Sequence, residues 1–157
     1  MKRFKFSLEQ VLNLKTNMKR QVQQELAGLE AQRVRIEEKI EHIGEQWQRE
    51  NEALQNANES LQAAEYQLRL SYLDFLDKKI NSEKEQLFRV MDQLAEKRNK
   101  LLTITREEQM LEKLRERKAE QHRKDVVRAE QSFNDEIAAR STGWKVVSAV
   151  DSKRHVL

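Results

Sequence analysis

The fold is decided by the stretch VQQELAGLEAQRVRIEEKIEHIGEQW, residues 22–47, in which apolar residues recur after alternate steps of three and four. The positions in phase are Val22, Leu26, Leu29, Arg33, Ile36, Ile40, Ile43 and Trp47. The same phase extends without a slip from Leu8 to Phe75. A repeat that averages 3.5 residues puts one narrow apolar seam along an α-helix, and such helices pair in coiled coils. The pattern predicts long paired helices that enclose no substrate pocket.

The composition agrees with this prediction. Of the 157 residues, 36% are charged, three are glycine, and none is proline or cysteine. Almost nothing in the chain therefore breaks a helix. The absence of cysteine excludes disulfides and thiolate metal sites and fits a reducing compartment. No apolar run approaches the ~18 residues that cross a membrane, and no secretory signal is present, so we expect a cytoplasmic protein without direct membrane insertion.

The start of the first helix has a recognisable signature. Ser7 and Gln10 have the spacing of a capping box, and Phe6 and Val11 occupy the two positions of a hydrophobic staple. We expect Ser7 to be the N-cap of the helix, directly before its first residue, and Phe6 to pack against Val11.

A helix of such length must cover its seam with another chain or with itself. The densest cluster of turn-forming residues is Asn56–Ser60, which predicts a fold-back. A turn there pairs Ile36 with Ile80 and places Arg33 opposite Glu83. A rival turn at Asn81–Ser82 would set apolar residues 36–54 against the mostly charged residues 106–125, so we disfavour it. The predicted fold is all-α, a long antiparallel two-helix coiled-coil hairpin whose second helix is the longer.

The end of the second helix is predicted at Arg140–Gly143, where a cation in the last turn precedes a glycine suited to a left-handed stop. Residues 144–157 have no helical period. We therefore expect a single hairpin domain over residues 1–142, with its turn near 56–60, and a flexible tail over 143–157.

Charge is distributed unevenly along the chain. Residues 1–20 carry a net charge of +5, residues 21–65 of −6, and residues 97–128 of +5. The proposed hairpin brings the first and third segments together into one basic end. Such charge is compatible with plain solvated helix faces or with an acidic partner. Nucleic acid is disfavoured as a partner, because glutamates interrupt the basic residues between 107 and 120.

No catalytic or cofactor motif is present. His42, His122 and His155 are far apart, and no second metal ligand follows at a helical spacing. We therefore predict no enzyme activity, no cofactor and no metal. Among the aromatic residues, Trp47 and Phe75 lie in the seam and are expected to pack in the core, while Tyr72 lies one step off it and could form an exposed patch with Phe75.

Four segments resemble the flagellar FliJ family. The opening residues FKFSLEQVLNLK, 4–15, are similar to that family's F-x-F-x-L-x-x-V-L-x-L start. YLDFL, residues 72–76, resembles its Y-x-x-F-hydrophobic segment. LEKLRERK, residues 111–118, and DEIA, residues 135–138, resemble its closing basic helix and D-E-hydrophobic-A signature. The resemblance covers about residues 4–140.

This resemblance implies a non-enzymatic component of the flagellar type III protein export apparatus. It implies a central stalk that enters the export ATPase ring, contacts the export gate membrane protein and binds export chaperones. Such a protein is cytoplasmic and peripherally associated with the inner face of the cell membrane through the apparatus. Tyr72 and Phe75 match the family's gate-contacting surface, whereas Lys79 and Ser82 depart from it.

The basic end supplies the candidate residues for the ring contact. We expect its cations to lie off the packed seam and to face the ring; they are Arg115, Arg117, Lys118, Arg123 and Lys124. Two alternative functions stay open on the sequence: a generic coiled-coil adaptor or holdase chaperone without an ATPase partner, and a homodimeric scaffold.

Overall fold

The protein consists of two α-helices in a computed structural model that describes residues 3–57 and 60–154, with side chains up to residue 142. Helix α1 spans Glu9–Asn56 and helix α2 spans Ala63–Arg154. No strand occurs among the described residues. The predicted all-α fold with a longer second helix is confirmed. Contacts divide the chain into two compact units, one formed by Asn13–Glu107 and one by Met1–Leu12 with Glu108–Leu157.

In the unit Asn13–Glu107 the two helices pack antiparallel through an apolar seam. The buried apolar residues of this unit are Val22, Ile36, Ile43, Leu54, Leu73, Leu76, Val90, Leu94 and Ile104. On α1 the buried and half-buried positions include every residue of the predicted phase from Lys15 to Leu54. Each large apolar side chain buried in this way contributes about 1.5–3 kcal/mol relative to an exposed one.

On α2 the predicted phase is wrong at its start. The sequence pattern carried the seam through Leu68, Ser71 and Phe75, but all three are exposed. The buried residues there are instead Leu73 and Leu76. Helix α1 ends at Asn56 and α2 begins only at Ala63, so the angular phase of α1 does not carry over to α2. The orientation of α2 is then set by which of its own residues pack best against α1.

The predicted pairing register is also wrong, by about one heptad. Ile36 packs with Val90 and Leu94 rather than opposite Ile80. The predicted Arg33–Glu83 pair does not form, because Arg33 lies next to Glu30 and Glu37 of its own helix. Sliding one coiled-coil helix by a heptad leaves apolar residues facing apolar residues, so the repeat alone does not specify the register.

Polar pairs between the helices define the register that forms. The ion pairs that connect α1 and α2 in this unit include Lys15–Glu107, Glu25–Lys97, Glu30–Arg98 and Glu50–Arg69. These pairs lie in or beside the seam, where complementary charges select one alignment of two otherwise repetitive surfaces.

The connection between the helices comprises residues 57–62. The Ser60 amide donates to the Ala57 carbonyl at 3.1 Å, and the Ser60 hydroxyl donates to the same carbonyl at 3.3 Å. These bonds close a single turn directly after α1 ends at Asn56. Of the residues predicted to form the turn, Asn58 and Glu59 lie outside the described part of the chain.

The predicted helix stop at Gly143 is wrong, since α2 continues to Arg154. A left-handed stop needs a positive φ, and no described residue has one. A glycine inside a helix costs only about 1 kcal/mol relative to alanine, and without proline the helix can continue through it. The flexibility expected of residues 143–157 stays a prediction, and residues 155–157 lie outside the described range.

Candidate partner-binding surfaces

The amino-terminal segment lies along α2 in the unit formed by Met1–Leu12 and Glu108–Leu157. Phe6 is buried, with 8% of its surface exposed. The ring centroids of Phe4 and His122 are 5.7 Å apart, at an interplanar angle of 57°. Glu9 and Arg115 form an ion pair of 3.4 Å. These contacts attach the beginning of the chain to α2 over about two helical turns.

The predicted staple between Phe6 and Val11 is replaced by this packing. Val11 is exposed, whereas Phe6 lines an open groove together with Arg115 and Ala119 of α2. Helix α1 begins at Glu9, whose amide donates to the Phe6 carbonyl at 3.2 Å. The apolar F-x-F start thus stabilises a tertiary contact, and the helix starts one residue later than the capping pattern predicted.

The five candidate cations on α2 do not form one continuous surface. Arg115 is half-buried and paired with Glu9, so the expectation that it lies off the packed face is wrong. The structure brings Arg123 and Lys124 together at Glu120, whose carboxylate lies 3.3 Å and 3.5 Å from them. Ion pairs this exposed contribute little to stability and are easily exchanged for a partner's charge.

Arg117 and Lys118 are the two candidate cations with no ion pair among the described residues. Both are exposed. Arg117 and Lys124 are seven residues apart, so they lie on the same side of α2, which the amino-terminal segment does not cover. We name these two together with Lys118 the terminal basic surface.

A line of apolar residues missed by the sequence analysis continues along α2 past the amino-terminal segment. Val126, Ala129 and Phe133 follow His122 at steps of four, three and four, the spacing of the seam itself. Val126 is half-buried, but every side chain from 129 to 142 is exposed, including Phe133 and Ile137. The spacing of these residues could have been read from the sequence, but the many charged residues around them make the apolar pattern weak.

Tyr72 and Phe75 form an exposed aromatic pair in the unit Asn13–Glu107. Their ring centroids are 6.3 Å apart and the rings are nearly parallel, at 20°. Phe75 is 56% exposed, so the expectation that it packs in the core is wrong, and the exposed aromatic patch is what forms. Its neighbour Leu76 takes the core position, with 2% of its surface exposed.

Leu68 extends the aromatic pair into a larger apolar patch. It lies four residues before Tyr72 and seven before Phe75, hence on the same side of α2, and it is 70% exposed. The heptad pattern places Leu68 in the seam, so its exposure was not predicted. Exposed apolar residues in one line on a helix are typical of a docking site for another protein.

Other classes of site find no support in the described part of the chain. No group of histidine, aspartate and glutamate side chains there could hold a metal ion. None of the helices in that part has the length and apolar character needed to span a membrane.

A family model described as flagellar FliJ protein matches residues 4–144. The match includes both the terminal basic surface and the aromatic pair. Comparisons with curated proteins and with solved structures gave no match.

Proposed function

The chain belongs to the flagellar FliJ family, and on that premise we propose that it is the central stalk of a flagellar export ATPase. As a member it is a non-catalytic, export-related coiled-coil protein. In the proposed role it enters the ATPase ring, couples the ring to the export gate membrane protein and binds export chaperones. It works in the cytoplasm, held at the inner face of the cell membrane through these partners.

The observation that carries the ring contact is the terminal basic surface. Arg117 and Lys118 project from α2 without an ion-pair partner among the described residues, within the same unit that contains both ends of the chain. Unpaired cations attract an acidic partner over several ångströms and speed its association. The interior of a ring lined by carboxylates is a surface of that kind.

The ring contact is tested by reversing these two charges. We expect Arg117→Glu with Lys118→Glu to weaken binding to the export ATPase at least tenfold and to reduce its stimulation of ATP hydrolysis. Arg115 is left unchanged, because a glutamate there would face Glu9 and disturb folding. Lys84→Glu with Arg106→Glu is the matched control, since both residues are exposed, form no ion pair with another described residue and lie in the other unit.

If both variants lost ring binding equally, the loss would come from the change in net charge alone. That result would contradict a specific ring contact at Arg117 and Lys118 and with it the stalk function. Undiminished binding and stimulation in the first variant would leave the adaptor or holdase function ahead. Binding of the unmodified protein should also fall as salt rises, because the contact is between exposed charges.

The gate contact is carried by the Tyr72–Phe75 pair. Exposed stacked aromatic rings supply large apolar area at little cost in conformational entropy, as binding hot spots do. We expect Phe75→Ala to weaken binding of the gate's cytoplasmic part about tenfold and to leave ring binding unchanged. Phe88→Ala is the matched control, because Phe88 is 73% exposed on a different side of α2. Equal effects of the two substitutions would contradict a specific gate site.

A further inference from the structure

A second line of side chains runs along α2 beside its buried seam. Its members are Tyr72, Phe75, Lys79, Ser82, Gln86, Arg89 and Gln93, at alternate steps of three and four. The buried Leu76, Val90 and Leu94 follow the same steps one residue later, so this line stays next to the seam along its whole length. The aromatic pair and Arg89 therefore lie on one face of the unit Asn13–Glu107.

An open groove of about 350 Å³ lies between α1 and the last part of this line, from Gln86 to Gln93. Its floor is formed by Ile36 and Val90, which are buried. Its rim carries three cations, Arg35 and Lys39 from α1 and Arg89 from α2, alternating with glutamines. No aspartate or glutamate lines the groove. A concave surface with cations on both walls concentrates positive potential inside it.

These three cations have no ion pair among the described residues. Elsewhere in this unit, Lys15, Arg69, Lys97 and Arg98 each form an ion pair with a glutamate of the other helix. Carboxylates at helical spacing do not take up these charges. Glu38 lies three positions after Arg35 and Glu85 four before Arg89, but neither pairs with its cation in the described part of the chain. The groove thus keeps three charges available to another molecule.

We infer that this groove binds an acidic segment of a partner protein, whose carboxylates contact Arg35, Lys39 and Arg89. An apolar side chain of the same segment packs on Tyr72 and Phe75. Charge complementarity selects an acidic occupant. Leu68, which is 70% exposed, extends the aromatic pair into an apolar patch, and such a patch fits an apolar side chain of a peptide better than a nucleobase or a free anion. The packing of an apolar side chain on Tyr72 and Phe75 rests on the proposed partner contact there. The binding of carboxylates by Arg35, Lys39 and Arg89 does not.

The spacing of the two features defines a probe. Phe75 and Arg89 are fourteen residues apart on α2, which corresponds to roughly 21 Å at about 1.5 Å per residue. An extended peptide covers that distance in about six residues. The probe is a fluorescein-labelled peptide with a phenylalanine about six residues before a run of glutamates. A second peptide with glutamines in place of the glutamates serves as its control.

Binding is measured by fluorescence anisotropy with the full chain. We expect the acidic probe to bind and the glutamine probe to bind at least tenfold more weakly. The variant Arg35→Gln, Lys39→Gln, Arg89→Gln should weaken the acidic probe at least tenfold. The matched variant Arg20→Gln, Lys84→Gln, Arg106→Gln removes the same charge from exposed positions of the same unit that have no ion pair within the described ranges. It should change affinity less than twofold. All six residues are exposed, and unchanged helical circular dichroism verifies folding.

The outcomes separate the groove from the aromatic contact. Weakening by Phe75→Ala together with the groove variant supports the whole inference. Weakening by Phe75→Ala alone overturns the groove and leaves the proposed gate contact intact. Equal weakening by the groove variant and its matched control overturns the groove as well, because the attraction is then only net charge. Absence of probe binding overturns it, as does tight binding of a single-stranded oligonucleotide that displaces the peptide. Self-association through the groove, seen as a dimer that the groove variant abolishes, also overturns the inference.

Discussion

Lys97 of α2 and Glu25 of α1 form an ion pair across the helix interface, with 2.6 Å between the ammonium nitrogen and a carboxylate oxygen. The hydrogen bond from Lys97 lowers the pKa of Glu25, and the same bond raises the pKa of Lys97. Gln21, one turn earlier on α1, also donates to Glu25 at 3.2 Å. The pair joins residues far apart in the sequence, and it is one of the contacts that select the observed register over its one-heptad alternatives.

The ion pair predicts a pH dependence. A carboxylate whose pKa is lowered in the folded state stabilises the fold above its unfolded pKa, about 4.3, and loses this contribution as pH falls through the folded value. We expect the melting temperature to drop between about pH 5 and pH 3, and Glu25→Gln to reduce that drop. Thermal melts of both proteins over this range provide the measurement. An identical pH profile for both would contradict a stabilising pair.

The register predicts a disulfide. Because the chain contains no cysteine, Ile36→Cys with Val90→Cys introduces one pair only. These positions pack in one buried cluster, so oxidation should link them within a single chain. Ile36→Cys with Ile80→Cys is the control and should stay reduced, because Ile80 belongs to an alignment shifted by about one heptad. Efficient closure of the control pair would show that the alignment is the shifted one. Mass spectrometry and gel mobility distinguish the two.

The phase of α2 predicts opposite effects at two adjacent residues. Leu76→Ala should cost about 2–5 kcal/mol of unfolding free energy, because it leaves a cavity at a fully buried position. Phe75→Ala should change stability by less than about 0.5 kcal/mol, although it removes more carbon atoms, because the ring is exposed. Urea unfolding of both variants tests this. A larger loss of unfolding free energy for Phe75→Ala than for Leu76→Ala would show that Phe75, and not Leu76, packs in the seam.

The amino-terminal contact predicts a local loss of order. Phe6→Ala removes a buried ring and should destabilise the unit formed by both ends of the chain by about 3 kcal/mol. Amide hydrogen exchange should rise in α2 near His122 and Arg115, which lie against this segment. Val11→Ala, at an exposed position, is the control and should leave exchange unchanged. Equal exchange rates near His122 and Arg115 in the two variants would contradict the packing of Phe6 against α2.

The candidate surfaces were predictable to different degrees. Tyr72 and Phe75 were found from a family resemblance, yet the exposure of Phe75 followed only from the orientation of α2. Arg115 was predicted as a free cation, but the path of the amino-terminal segment pairs it with Glu9. The groove at Arg35 and Arg89 could not be predicted at all, since it exists only where one particular pair of turns on α1 and α2 face each other.

The local properties of the chain follow from its sequence without reference to the tertiary structure. The 3.5-residue repeat specifies which face of α1 is buried, from Lys15 to Leu54, because a helix places residues three and four apart on one side. The lack of proline allows two long helices. The turn-forming residues after Leu54 allow the first helix to end and the chain to reverse direction before the second begins. Each of these depends on neighbours within a few residues, so each can be inferred without a partner helix.

The tertiary structure alone decided how the two helices align. A heptad repeat looks the same after a shift of seven residues, so apolar burial is nearly equal in several registers. The choice among them depends on long-range pairs such as Glu25–Lys97, and the phase of α2 depends on burying Leu76 in place of Phe75. These contacts join residues distant in the chain, and through them the structure determines which aromatic rings and cations are presented to a partner.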